Sequence, residues 1–254
     1  MITEYHRPKT LEEALKLLSL PNTRPLGGGT VLTHPGDESF AVIDLQALSL
    51  DKVHKSGNHL EIGATVTLQT LLESAHSPAA LKTAIELEAP LNLRTMGTVA
   101  GALVTCHGRS PFAVVMLALD ARLTMVGEQS IVYSLGDLLP VRQQLLKGKL
   151  ITKIEIPLQT KISFETVARS PADKPIVCTA LAQWPSSRTR LVIGGWGIAP
   201  VLAMDGNEAS GIEFSARNAA HDATDQWASA EYRSEVAGVL AKRCLEEIHD
   251  KTKD

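Results

Sequence analysis

The sequence predicts an α+β fold: two small α/β subdomains up to about residue 157, then an antiparallel sheet with helices. Three observations carry this. Helical and strand periodicities alternate over the first 157 residues. Three strand-like runs separated by turn residues follow, "ISFETVAR", "PIVCTALAQW" and "RTRLVIGGWG". A helical tail, "SEVAGVLAKRCLEEIHD", closes the chain. The expected division is 1–157 and 158–254.

The elements follow in order. "KTLEEALKLLS" opens with Thr10 and, three residues on, Glu13, a capping box, and Leu11, Ala14, Leu15 and Leu18 recur at helical spacing. "TRPL" and "FAVIDL" read as strands on either side of a glycine-rich loop, and "HLEIGA" as a third strand. "SPAALKTAIELE" reads as a helix capped by Ser77 with Pro78 at its first position. "PFAVVMLALDARLTMV" reads as a buried helix entered at Pro111 and passing into a strand. Alternation in "LITKIEIP" marks another strand, stopped by Pro157. In the tail, Val236, Val239, Leu240 and Ile248 are expected on one face, packed against the meander.

Composition narrows the function. With 44% hydrophobic and 21% charged residues in 254, the chain can build its own core. Twenty-five basic against 28 acidic side chains argue against nucleic acid as a partner. The opening "MITEYHRPKT" has no apolar stretch, so no signal peptide is expected, and "FAVVMLALDA" is too short to span a bilayer. The cytoplasm is the expected compartment. Cys106, Cys178 and Cys244 form no Cys-x-x-Cys pair, and the eight histidines no His-x-x-x-His pair, so no metal site is expected in this chain.

Two stretches of bare backbone lie about seventy residues apart: "PLGGGTVL" (25–32) and "RTMGTVAGALVT" (94–105). Consecutive N–H groups without side-chain cover form a concave anion site, and a diphosphate bridging two loops is the natural ligand. Neither stretch fits the common nucleotide fingerprints: no Gly-x-Gly-x-x-Gly opens a helix, and no lysine follows the first loop.

"RPLGGGTVL" resembles the first dinucleotide loop of the flavin-binding subunit of molybdenum hydroxylases, the xanthine and carbon monoxide dehydrogenase family. "RTMGTVAGALVTCHGRSPFAVVMLALDA" is similar to that family's second loop and the helix after it. "YHRPKTLEEALKLL", "LITKIEIP", "FETVARSPADKPIV", "GGWGIAPVLA" and "AEYRSEVAGVLAKRCLEE" resemble other family segments in the same order, over nearly the whole chain. The resemblance implies FAD as cofactor, held by Leu26, Gly27, Gly28, Gly29, Thr30, Val31 and Leu32 in the first loop. In the second it implies Gly97, Thr98, Val99, Ala100, Gly101 and Ala102, with Ile151 and Arg169 beyond them. It further implies a hetero-oligomer with a molybdenum-cofactor large subunit and an iron–sulfur small subunit. Electrons would then leave through FAD to NAD or another acceptor. No catalytic acid or base is assigned to this chain.

The departures are specific. The family's Gly-Gly-Asn is Ala100, Gly101 and Ala102 here; its turn Asp falls on Pro111, and a common strand Lys on Thr166 or Glu165. Each lost side-chain contact costs about 1 kcal/mol or more, while backbone donors at Gly97, Thr98 and Gly101 remain. Two alternatives stay open: a degenerate, flavin-free scaffold subunit, and a stand-alone flavoenzyme resembling UDP-N-acetylenolpyruvoylglucosamine reductase. Among single residues, Arg94 is either a phosphate partner or a surface arginine. Cys106 and His107, as sequence neighbours, are not expected to act as a dyad. Gly194, Gly195 and Gly197 are expected to serve packing or a bulge.

Overall fold

The computed structural model describes residues 1–34 and 36–250. Its first elements are β1 (Ile2–His6), α1 (Leu11–Leu18), β2 (Thr23–Leu26), β3 (Phe40–Asp44), β4 (Val53–Ser56) and β5 (His59–Gly63). Five helices follow: α2 (Leu68–Glu73), α3 (Ala79–Glu88), α4 (Leu91–Arg94), α5 (Val99–Thr105) and α6 (Pro111–Ala118). Then come β6 (Arg122–Val126), β7 (Ser130–Ser134), α7 (Leu135–Leu138), α8 (Arg142–Leu145) and β8 (Leu150–Pro157). The last part holds β9 (Lys161–Val167), β10 (Val177–Gln183), β11 (Thr189–Gly194), β12 (Val201–Gly206), α9 (Ile212–Ala219) and α10 (Ala230–Asp250). The α+β class read from the sequence is the class observed.

Packing gathers these elements into two compact units whose segments alternate along the chain. The first takes Met1–Ala75, Pro90–Thr105 and Arg122–Glu155; the second takes His76–Ala89, Cys106–Ala121 and the chain from Ile156 onward.

In the first unit a parallel three-stranded sheet has the order β1-β3-β2. Helix α1 supplies Ala14 and Leu18 to a small core with Ile43, Leu45 and Leu150. Thr10 caps α1 by accepting the Glu13 N–H. Glu13 reaches back to the Lys9 N–H at 3.0 Å, so the capping box closes one residue before the cap. A second sheet of five strands runs β4-β5-β8-β6-β7. Strands β2 and β3 end side by side at Leu26 and Asp44. The triple glycine therefore begins at the carboxyl end of a parallel sheet, the end at which open α/β sheets take their ligands.

In the second unit an antiparallel meander, β9-β10-β11-β12, carries α9 and α10 against Val177, Leu181, Leu191 and Ile193. Helix α6 packs on β10 and β11 as well. With both faces covered, every residue of β11 and all but the last of β10 are buried, so these strands read as apolar runs without alternation. All eight residues of α6 are buried, which is why that helix shows no polar face.

Two expectations are corrected. Helix α3 starts at Ala79, with Pro78 itself at the cap: its ψ of 148° is extended and its carbonyl accepts the Lys82 N–H. On α10 the buried stripe is Ala230, Arg233, Ala237, Leu240, Ala241, Cys244 and Ile248. Val239 is 46% exposed because the residue before Leu240 lies about 100° around the helix from it. Strands β4 ("VHKS") and β7 ("SIVYS") were outside the sequence reading; both are short edge strands with mostly exposed side chains.

Candidate functional site

The first loop leaves β2 where Leu45 N–H donates to the Leu26 carbonyl. Gly29 takes φ +70°, and its carbonyl accepts both the N–H and the hydroxyl of Thr33. His34 N–H closes on Val31. The N–H groups of Gly27 through Leu32 donate to no acceptor among the described residues. Six consecutive residues thus hold unused donors on a half-buried loop. In a folded protein such donors are normally paired with protein, water or ligand.

The second stretch touches the first. A β-carbon on Gly28 would lie 1.7 Å from the Met96 carbonyl oxygen and 3.1 Å from Gly97 Cα, so the two backbones meet with no room for a side chain. A β-carbon on Gly27 would fall 2.6 Å from the Thr98 hydroxyl. Thr30 and Gly97 face each other across the same junction, Thr30 Cγ2 standing 3.9 Å from where a Gly97 β-carbon would be. The structure therefore brings together Gly27, Gly28, Thr30, Gly97 and Thr98.

One expectation about this stretch is overturned. Residues 97–102 do not offer a row of bare donors, because Val99–Thr105 is helix. Gly97 N–H donates to Leu93, Val99 to Val66, Ala100 to Ala64 and Ala102 to Thr98, all through backbone carbonyls. Gly101 N–H goes to the Thr98 hydroxyl. Helix capping and the bridge between Thr67 and Thr98 use these groups. Of the second stretch, Thr98 alone has an N–H with no acceptor among the described residues.

The other expected residues sit elsewhere. Ile151 is buried in β8, opposite Met125 of β6. Arg94 donates to the Gln69 side chain at 3.1 Å. Pro111 is buried in the first turn of α6, and the Thr166 hydroxyl donates to the Val177 carbonyl. Arg169 belongs to the second unit, just past β9. There it pairs with Asp173 at 3.7 Å and lies over the Trp227 ring at 4.7 Å. It also lines a cavity of about 290 Å³ with Thr166, Ser170, Asp173 and two prolines.

His107 Nδ1 accepts the Arg109 N–H at 3.1 Å, which leaves the ring proton on Nε2. Partial burial first, then the Lys174 cation, holds its pKa below the ordinary histidine value, against the pull of Glu88. Gly195 N–H donates to Gly108, and Gly108 N–H to Gly197. A β-carbon on Gly108 would lie 1.4 Å from the Trp196 carbonyl oxygen and one on Gly195 2.0 Å from that of Ile176, so these two serve close packing, while Gly197 takes φ +71° with open space at its β-carbon position.

Three groups lay outside the sequence reading. Glu88 accepts from Ser110, from the Phe112 N–H and from Lys174 Nζ. Arg169 and Arg109 both lie against the Trp227 ring, the latter anchored on the Lys174 and Pro175 carbonyls. Arg233, fully buried, donates to the carbonyls of Ile176, Ala223, Ala228 and Gly195 and to Asp225. Its signal in the sequence was an arginine at position i−4 from Ala237, inside an otherwise apolar stripe.

The uncharacterized protein YgfM of Escherichia coli K12 is 28% identical over 252 residues, covering 94% of each chain. The glyceraldehyde dehydrogenase medium chain of Sulfolobus acidocaldarius is 26% identical, covering 96% of this chain and 97% of its own. The carbon monoxide dehydrogenase medium chain of Afipia carboxidovorans is 24% identical over 99% and 98%. Among solved structures, carbon monoxide dehydrogenase from Hydrogenophaga pseudoflava superposes with a TM-score of 0.80 at 22% identity, over 97% of this chain and 96% of that one. Quinoline 2-oxidoreductase from Pseudomonas putida 86 gives 0.79 at 21%, over 98% and 97%. These two share the fold. Residues 1–159 match the family described as FAD binding domain in molybdopterin dehydrogenase. The chain belongs to that family and is an FAD-binding component of an oxidoreductase.

Proposed function

We propose that this chain is the flavoprotein subunit of a molybdenum hydroxylase-type enzyme, carrying electrons from iron–sulfur clusters through FAD to NAD or another acceptor. In this reading residues 1–157 form the FAD-binding domain and 158–254 a C-terminal domain like that of the carbon monoxide dehydrogenase flavoprotein. A large molybdenum-cofactor subunit and a small iron–sulfur subunit complete the complex, in the cytoplasm. The relatives support the partners by being medium chains of dehydrogenases.

The observation that carries the reading is the row of unused donors from Gly27 to Leu32, at the carboxyl end of the parallel sheet. That row fits a pyrophosphate, whose oxygens accept from consecutive backbone N–H groups. In the proposed site Leu26 to Leu32 cradle the phosphates and Thr98 adds its N–H. Val99, Ala100, Gly101 and Ala102 shape the wall. When bound, FAD supplies the redox chemistry, while the protein binds and orients it. No side chain here need move a proton.

A second reading is a scaffold without flavin. It is favoured by the prior use of the N–H groups of residues 99–102 and by the missing side chain at Ala102. Co-purification from the native host separates the two: the flavoprotein reading expects both partner subunits and a bound flavin, and a complex without flavin contradicts it. Ala102→Asn, restoring the family residue, is expected to tighten FAD binding about fivefold, the worth of one added hydrogen bond, in an isothermal titration.

A further inference from the structure

Among the described residues three sheets end in six edge strands: β1 and β2, β9 and β12, β4 and β7. Exposed edges template pairing with other chains, and charge or proline normally blunts them. Five of the six edges are blunted in that way. β1 carries Glu4, β2 carries Arg24 and Pro25, β4 carries Lys55, β9 carries Lys161 and Glu165, and β12 carries Asp205. β7, Ser-Ile-Val-Tyr-Ser, has no charge and no proline. Its ladder to β6 is regular over all five residues, with no bulge to twist the edge away. Two β-branched side chains stand in solvent on it, Ile131 at 41% and Val132 at 53%.

We propose that β7 is an interaction edge for a second copy of this chain, the two β7 strands pairing antiparallel about Val132. The occupant follows from the strand's own symmetry. In that register Ser130 faces Ser134 of the second copy, Ile131 faces Tyr133, and Val132 faces its equivalent. Serine pairs and an aromatic opposite a β-branched residue are favourable cross-strand neighbours, and no like charges meet within the strand. A two-fold contact of this kind is self-complementary. Five residues a side form a small interface, so the dimer is weak and concentration-dependent.

Cysteine scanning of the whole chain tests the register. Cys106, Cys178 and Cys244 are buried, so an exposed thiol on β7 is a clean reporter. Facing Cα atoms in an antiparallel pair are about 4.5–5.5 Å apart, within disulfide reach. Val132→Cys is expected to form a disulfide-linked homodimer under mild oxidation, in at least about tenfold higher yield than Ile131→Cys, which faces tyrosine. Val132→Lys sets two cations face to face and is expected to weaken wild-type association about tenfold in sedimentation velocity, with an unchanged melting temperature. Equal cross-linking of both cysteine variants overturns the proposal, as does a wild type that stays monomeric at every concentration. Cross-linking of Val132→Cys only to a different chain overturns it too.

Discussion

Gly28→Ala is expected to cost the chain at least about a hundredfold in FAD affinity, although it adds a single methyl group. That methyl would sit 1.7 Å from the Met96 carbonyl oxygen, a distance no non-bonded pair tolerates, and the obstacle is backbone rather than a side chain that can swing away. Either the first loop lifts off or residues 96–98 move, and both pull Gly27 and Thr98 apart. Overpacking of this kind costs about 1–3 kcal/mol of stability, here confined to the first unit. Gly29→Ala is a milder control. Its β-carbon would meet only Leu26 Cδ1 at 3.4 Å and Thr33 Cγ2 at 3.6 Å, so the penalty is the φ of +70°, about 1–2 kcal/mol. Titration of the apo-protein with FAD, followed by flavin fluorescence, ranks the variants. Wild-type affinity in Gly28→Ala would show that the contact with Met96 is irrelevant to the cofactor.

Arg233→Met should lower stability by at least about 1–3 kcal/mol, the cost of leaving buried carbonyls without their donor. The guanidinium is fully buried and ties four carbonyls and Asp225 into one knot beneath α10. Methionine fills part of the volume but takes the Arg233 donors from the carbonyls of Ile176, Ala223 and Gly195, while the Ala228 carbonyl keeps the Asp225 N–H and Asp225 keeps the N–H groups of Trp227 and Ala228. The knot also has a pH signature. Burial raises the Asp225 pKa. Its bond from Arg233 and the N–H groups of Trp227 and Ala228 outweigh that, so the carboxyl sits below the ordinary aspartate value. A depressed folded-state pKa contributes stability that is fully present above the unfolded pKa, about 3.9, and lost as pH falls through the folded value. Melting temperatures from pH 7 down to pH 3 should fall in the acid range for wild type and fall less for Arg233→Met. Parallel curves would remove Asp225 from the account.

The elements with a strong pattern were readable from the chain alone, and those defined by packing were not. Thr10 and Glu13 announced α1, and the turn-separated apolar runs announced the meander, because each signal is local. The glycine loop was legible because three adjacent glycines have few structural explanations. The helix at Val99–Thr105 reads as loop because Gly101 and four β-branched residues in "GTVAGALVT" disguise it. What fixes it, the acceptors at Ala64 and Val66, lies more than thirty residues away. Arg233 has one local signal, its place in an otherwise apolar stripe, but its partners, four backbone carbonyls and one aspartate, leave no mark in the sequence.

The central claim is that the loop from Leu26 to Leu32 holds FAD. The most direct measurement is the visible absorption spectrum of freshly purified wild-type protein, followed by titration of the stripped chain with FAD. The account predicts a flavin band, saturable binding at one FAD per chain, and loss of both in Gly28→Ala. A colourless protein that takes up no FAD, in the wild type and in Ala102→Asn alike, would contradict it.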